Sequence, residues 1–304
     1  MSNKLVPEDF QEADELLSNL LEEVQRWEGT LSGGTKLGLG AAAVTNLKDS
    51  KVSLGSPKDK LTLLTEATFQ ETGTELSNIY RKQMQDQYDF YYLTLKVELR
   101  PKPTVQFWKL ICELDFGPKG EQEPILQSVF PNEKWRSVLG TGVGMDIGLN
   151  GNLDWTAGVD TSALTAVLEQ VPGEIKGEVA NKNEFKTFVT MPAYKYEFGL
   201  FEILTTGVGS TAYWRIQDEA LKKTGMVEFA TVFKVPKAVR EIELVGKAWV
   251  EPDVNWLFAD VRDVAGDMSD RFQQLFRNKE EAGSRFARGD AEKWQLQLPK
   301  AKTA

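Results

Sequence analysis

Histidine is absent from this chain of 304 residues. A Ser-His-Asp or Cys-His mechanism therefore cannot be built from one copy of the chain, and a histidine-ligated zinc, copper or iron site cannot be built either. Because histidine is also the commonest acid–base residue in catalysis, its absence argues against an enzyme. We predict a protein that is not an enzyme and that uses no cofactor.

The sequence has one cysteine, Cys112, so an intramolecular disulfide is impossible. Four apolar residues at even positions, Trp108, Leu110, Leu114 and Phe116, share its face of a predicted strand. This pattern indicates a buried hydrophobic cysteine rather than a reactive thiol.

Long apolar runs are also missing. No stretch of about 18 apolar residues indicates a transmembrane helix, and the first residues lack the apolar region of a secretory signal. Together with the single cysteine, these features predict a soluble, cytoplasmic protein.

Basic residues are outnumbered, with 36 Lys and Arg against 45 Asp and Glu, a net charge of −9 and a pI near 4.9. Nucleic acids and anionic lipids are bound through clustered Lys and Arg, so neither is an expected partner. We expect a protein partner or a homo-oligomer.

The clearest pattern in the chain spans residues 143–159, where apolar residues occupy odd positions and polar residues or glycines occupy even ones. Such alternation predicts a two-faced strand, and Asn150-Gly151-Asn152 in its middle predicts a tight turn. A three-residue loop would place Ile147 opposite Trp155 and keep the apolar residues on one face. The apolar positions are Val143, Met145, Ile147, Leu149, Leu153, Trp155, Ala157 and Val159.

The polar face of this predicted hairpin is rich in oxygen ligands of the kind that bind Ca²⁺. The weak candidates for a metal site are Asp146, Asn150, Asn152 and Asp154, followed by Asp160. The spacing is not that of an EF-hand, and a solvated hairpin face is the preferred interpretation, with no metal.

Residues 207–212 match the Gly-x-Gly-x-x-Ala dinucleotide fingerprint through Gly207, Gly209 and Ala212, and Glu228 lies where a ribose-binding acid would follow. The surrounding sequence predicts antiparallel hairpins rather than the parallel strands that this fingerprint requires. We therefore interpret the glycines as part of a strand or bulge.

The chain begins with a predicted amphipathic helix in residues 1–28, whose outer face is acidic. Residues 29–87 read as a connection rich in Gly, Ser and Thr, with a short helix near 75–85. Residues 88–252 predict an antiparallel β core, and residues 253–304 a helix followed by a polar tail. The predicted fold is mainly β (α+β), a sandwich or strongly curved sheet with helical ends.

Three functions fit these patterns. The first is a non-catalytic, cytoplasmic protein-interaction or assembly module. The second is a soluble β-pore-forming protein that uses hairpin 143–159, although each arm alternates over only about seven residues and a membrane strand needs about nine to eleven. The third is a nucleotide-binding enzyme that uses residues 207–212.

Overall fold

Alternating apolar and polar residues build antiparallel strands throughout the computed structural model. It describes residues 2–5, 8–30, 39–71, 78–130, 146–147, 153–154, 194–195, 202–217, 221–222, 224–265, 270, 274, 277 and 279–300. The strands are β1 (Ser2–Leu5), β2 (Lys51–Leu54), β3 (Leu61–Leu64), β4 (Tyr88–Arg100), β5 (Phe107–Gly117), β6 (Ile125–Phe130), β7 (Asp146–Ile147), β8 (Leu153–Asp154), β9 (Tyr194–Lys195), β10 (Glu202–Val208), β11 (Thr211–Gln217), β12 (Met226–Pro236), β13 (Glu241–Pro252) and β14 (Arg288–Gln297).

Two larger sheets carry most of these strands. Sheet A has the order β1-β14-β13-β5-β11-β10, and sheet B has the order β2-β4-β12-β6 with β3 also paired to β4. The pairings are antiparallel, which confirms the predicted mainly β fold. A third, small sheet C has the order β8-β7-β9.

The inner faces of sheets A and B pack against each other and form the core. Phe116 of sheet A meets Phe233 of sheet B with ring centroids 4.8 Å apart, and Trp214 meets Phe229 at the same separation. All four aromatic side chains are fully buried. The arrangement is a β-sandwich, because alternate residues of both sheets supply one shared apolar layer.

Helices pack against both sheets of the sandwich. They are α1 (Glu8–Thr30), α2 (Leu39–Asp49), α3 (Glu66–Glu71), α4 (Asn78–Asp86), α5 (Val254–Ala265) and α6 (Lys279–Arg285), with a 3-10 turn at Lys58–Lys60. The apolar stripe of α1 buries Leu17, Leu20 and Val24 in the main core cluster, so this helix is docked on the core. Its acidic positions Glu12, Glu15 and Glu22 are exposed.

Helix α2 lies in the segment that the sequence describes only as a connection. A Cβ on Gly40 would be 3.0 Å from Val24 Cγ1, so this glycine lets α2 approach α1 closely. The Glu28 carboxylate of α1 accepts hydrogen bonds from the N–H groups of Gly40 and Ala41, at 3.0 and 3.2 Å. These two bonds give partners to N–H groups that the first turn of α2 leaves without an intrahelical acceptor. The acceptor belongs to another helix, so the local sequence could not reveal it.

The C-terminal prediction was wrong in one respect. The segment predicted as a polar tail contains β14, which lies between β1 and β13 in sheet A and buries Ala291, Trp294 and Leu296. Two residues rather than one separate Ala291 from Trp294, which hides the strand alternation in the sequence. The antiparallel core is therefore not confined to residues 88–252.

Candidate functional site

The predicted hairpin belongs to a linking segment, residues 131–201, that joins β6 to β10. Strand β6 is an edge of sheet B and β10 is an edge of sheet A. The N–H of Leu126 donates to the carbonyl of Gly209 at 2.7 Å, which ties the two edges together. The linking segment therefore leaves and re-enters the sandwich at one corner, called here the β6–β10 corner.

Close packing at this corner depends on a glycine. A Cβ on Gly207 would be 3.0 Å from Val129 Cγ1, so the missing side chain at position 207 lets β10 lie close against β6. The sequence singled out Gly207 as a weak cofactor-binding candidate, and the structure gives it a packing role.

The hairpin prediction is confirmed as an antiparallel pair and corrected in its register. Ile147 is the partner of Leu153, and Asp146 is the partner of Asp154, whereas the sequence predicted Ile147 opposite Trp155. The two registers differ by two residues. A shift of two keeps apolar positions opposite apolar ones, so the alternation could not distinguish them.

Strand β9 extends the same pattern. Tyr194 is the partner of Ile147, and Lys195 is the partner of Asp146. One set of register positions in sheet C therefore holds Ile147, Leu153 and Tyr194, while the neighbouring set holds Asp146, Asp154 and Lys195. Val143, Met145, Leu149, Asn150, Asn152, Trp155 and Val159 lie outside the described residues.

The dinucleotide fingerprint lies on a hairpin. Gly207 is the register partner of Ala212, and Gly209 has a φ of +61° in the turn between β10 and β11. Residues 211–217 form a strand where the fingerprint needs a helix, and Glu228 lies within β12 opposite Lys96. The interpretation of these glycines as part of a strand is confirmed.

A polar cluster that the sequence did not reveal lies at the β10–β11 turn. The buried Ser210 hydroxyl donates to Glu123 at 2.5 Å and accepts from Lys119 Nζ at 2.5 Å. Lys119 also contacts Asp115 at 2.5 Å. The cluster fixes this turn to the loop between β5 and β6. Ser210 is far in the sequence from Asp115, Lys119 and Glu123, so no local motif indicates that the four residues meet.

Cys112 is fully buried on the inner face of β5. Burial, followed by the nearby Glu113 carboxylate, raises the pKa of the thiol well above its usual range. The thiol therefore stays protonated, as expected for a structural cysteine.

Among the described residues there is no group of three or more His, Cys, Asp or Glu side chains placed to hold a metal ion. Of the metal candidates, Asp146 and Asp154 are register partners in sheet C, and Asn150 and Asn152 lie outside those residues. In the described part of the chain, no helix is both long and apolar enough to span a membrane.

Comparison with known proteins gives no family. No family model and no curated protein matches the chain. Solved structures that resemble it include one described as "Pore forming protein", at 8% identity and a TM-score of 0.30, covering 67% of this chain and 78% of that chain. Clostridium perfringens delta-toxin matches at 7% identity and a TM-score of 0.27, over 67% of this chain and 78% of the toxin.

A third likeness is to the collagen adhesin CNA from S. aureus, at 11% identity and a TM-score of 0.20, over 54% of this chain and 38% of the adhesin. At these TM-scores the likenesses carry no argument about function.

Proposed function

We propose that this chain is a self-assembling, pore-forming protein whose sandwich carries the amphipathic hairpin of residues 143–159 and delivers it to a membrane. The observation that carries the proposal is the β6–β10 corner. Both ends of the linking segment are attached to edge strands, so the segment can change position without breaking a ladder inside sheet A or sheet B.

Attachment at an edge matters because of hydrogen bonding. A strand removed from the middle of a sheet breaks two ladders, whereas β6 and β10 each pair with one strand of their own sheet. The buried aromatic residues Phe116, Phe233 and Trp214, which lie at the centre of the sandwich core, all belong to strands of sheets A and B. The body of the protein can therefore remain folded while the hairpin moves.

The chemistry of the hairpin also supports insertion. Its register places Ile147 opposite Leu153 and Asp146 opposite Asp154, so apolar positions of the two strands lie side by side and charged positions do the same. A membrane strand needs this division, with one face toward lipid and one toward water. Because a single hairpin in lipid would leave unpaired edges, several chains must close a barrel together.

A second candidate function is assembly with a protein partner without insertion. The length of the hairpin favours it, since about seven alternating residues per arm fall short of the roughly nine to eleven that cross a bilayer. Insertion would require the strands to continue beyond Val143 and Val159. In both proposals the protein has no catalytic role and uses no cofactor, and its cytoplasmic location remains a prediction.

Dye release from liposomes, run beside light scattering of the protein, tests the two functions. Dye release together with a large oligomer supports the pore. A stable oligomer that releases no dye supports assembly alone, and a monomer that is inert with liposomes contradicts both proposals.

Planar-bilayer recording then tests the hairpin itself. Asp146→Arg with Asp154→Arg should move ion selectivity from cations toward anions, because the charged face of the hairpin would line the channel. The matched control is Asp59→Arg with Asp86→Arg, which makes the same charge change at exposed positions of the sandwich. Conductance whose selectivity is unchanged in the hairpin variant, or changed equally in the control, would place the hairpin outside the channel.

A further inference from the structure

A cavity of about 950 Å³ lies between α1, the outer face of sheet A and α6. Its lining includes Glu12 and Glu15 from α1, Glu113, Lys247 and Trp249 from sheet A, and Ser284 from α6. This volume lies within the range of about 300–1,000 Å³ that is typical of ligand sites. The cavity involves β13 and α1, and is distinct from the β6–β10 corner.

The floor of the cavity is set by strand register. Glu113 of β5 is the partner of Lys247 of β13, and Trp249 is the partner of Ile111. On its other side Trp249 is the partner of Gly289 in β14, where the Phe10 ring of α1 lies. Trp249 and Phe10 thus supply an aromatic surface beside the charged pair.

Five charged side chains line the cavity, and one of them, Arg285 of α6, has an interaction of its own. Glu12, Glu15, Glu113 and Lys247 have no hydrogen-bonding or ion-pair partner among the described residues. The α1 wall supplies two carboxylates, and the sheet supplies the Lys247 ammonium group beside the Glu113 carboxylate. Unpaired charges that converge on one cavity favour a ligand that carries the complementary charges.

We propose that this cavity binds a zwitterionic ligand of short-peptide size. The ammonium group of the ligand lies toward Glu12 and Glu15, its acidic group lies toward Lys247, and its apolar part lies on Trp249 and Phe10. A purely anionic ligand would be repelled by the three glutamates, and a purely cationic one would leave Lys247 without a partner. An ammonium group near an indole gains a further cation–π attraction.

Isothermal titration with the tripeptide Ala-Phe-Ala tests the proposal. The peptide is compared in four forms: unblocked, N-acetylated, C-amidated, and blocked at both ends. We expect the unblocked peptide to bind, and each block to weaken binding about tenfold or more, because each removes a charge-assisted contact. No detectable binding of the unblocked form, or equal binding of the doubly blocked form, overturns the proposal.

Two variants assign the ends of the ligand. Glu15→Gln should weaken binding of the unblocked and C-amidated peptides about tenfold, and leave the N-acetylated peptide unchanged. Lys247→Met should weaken binding of the unblocked and N-acetylated peptides and leave the C-amidated one unchanged. The matched control is Glu22→Gln, an exposed glutamate of α1 outside the cavity.

The circular dichroism spectrum of each variant should match that of the wild type, because these side chains are exposed. If Glu22→Gln weakens peptide binding as much as Glu15→Gln does, the effect comes from the general surface charge of α1. That result would overturn the assignment of the ligand's ammonium group to Glu15. An effect of Glu15→Gln that is independent of the N-terminal block would overturn it as well.

Discussion

The Phe10 ring lies directly against the backbone of Gly289. An ideal Cβ at position 289 would be 2.1 Å from Phe10 Cζ, far inside contact distance. The neighbouring Arg288 donates to the Asp14 carboxylate and, at 3.0 Å, to the carbonyl of Lys48. The first turns of α1 are therefore held on sheet A by β14, a strand from the other end of the chain.

The first prediction concerns this contact. Gly289→Ala should destabilise the protein by about 1–3 kcal/mol, because the new methyl group and the Phe10 ring cannot occupy the same space. Urea denaturation measures the change in the free energy of unfolding. Adding Phe10→Ala should recover part of the loss relative to the sum of the single changes.

The matched control for Gly289→Ala is Gly29→Ala, since no atom lies within 4 Å of a Cβ at position 29. That change should be neutral, or stabilise α1 by up to about 1 kcal/mol. Equal destabilisation by both changes would mean that Phe10 does not fill the space at Gly289.

The second prediction concerns the apolar face of α1. Leu20→Ala should cost about 2–5 kcal/mol, because Leu20 is fully buried in the core cluster. Glu22→Ala, two residues away on the exposed face, should stay within about 0.5 kcal/mol of the wild type. Thermal and urea unfolding measure the stability cost of both changes. A cost of Leu20→Ala no larger than that of Glu22→Ala would contradict docking of α1 through this face.

Removal of residues 1–28 extends the same test. The truncation exposes the apolar surface that Leu17, Leu20 and Val24 cover, so we expect aggregation or a newly released activity. Analytical ultracentrifugation measures the outcome. A truncated protein that remains monomeric and equally stable would contradict docking.

The third prediction concerns Cys112. Because burial raises the pKa of its thiol, a thiol-specific reagent should label Cys112 in the native protein far more slowly than in urea. Cys112→Ser should lower the free energy of unfolding by about 1–3 kcal/mol, since it buries a hydroxyl group in an apolar environment. Dye release and oligomer formation by this variant should be unchanged. If a normally folded Cys112→Ser variant lost either activity, the thiol would have a functional role.

The fourth prediction concerns Asp253, which precedes α5. Burial raises the pKa of its carboxyl group, but hydrogen bonds from Asn255 and Lys222 and the Lys222 charge outweigh that effect, so the pKa is lowered from 3.8. The N–H of Asn255 donates to the carboxylate at 3.0 Å, and Lys222 Nζ lies 3.2 Å away. Asp253→Ala should cost about 1–2 kcal/mol at neutral pH through loss of this helix cap.

The sign of the pH dependence follows from the lowered pKa. A depressed carboxyl pKa stabilises the folded state above the unfolded value of 3.8, and this contribution is lost as the pH falls through the still lower folded value. The stability difference between wild type and Asp253→Ala should therefore be constant near neutrality and shrink in acid below 3.8. The matched control is Asp260→Ala, at an exposed position on the same helix.

The fifth prediction concerns the dinucleotide fingerprint. Gly209 has a positive φ, so Gly209→Ala should cost about 1–2 kcal/mol through backbone strain at the turn. Titration with NAD and NADP should show no tight binding to wild type, since no helix follows the glycines to attract a pyrophosphate. Micromolar binding that Gly209→Val abolishes would contradict the hairpin interpretation.

Local patterns were enough to predict several elements. The apolar stripe that includes Leu17, Leu20 and Val24 predicted the amphipathic helix that the structure shows as α1. The even-numbered face of β5 correctly predicted a buried Cys112. In each case the signal is the period of one element, which is complete within a short stretch of sequence.

Tertiary contacts decided what these patterns left open. The alternation of residues 143–159 predicted that odd positions pair with odd positions, but it did not predict which ones. A shift of two residues keeps apolar positions opposite apolar ones. Helix α2 depends on Glu28 and Val24 of another helix, and β14 gains its place from pairing with β1 and β13.

The sequence by itself thus determined the mainly β composition, the amphipathic N-terminal helix, the buried thiol and the exclusion of histidine chemistry within one chain. Only the tertiary structure decided that the linking segment joins two edge strands at one corner, and that Glu15, Lys247 and Trp249 meet around one cavity. The physical reason is that a residue pattern records which face of an element is apolar. It does not record which distant element covers that face, since that choice depends on packing among residues far apart in the chain.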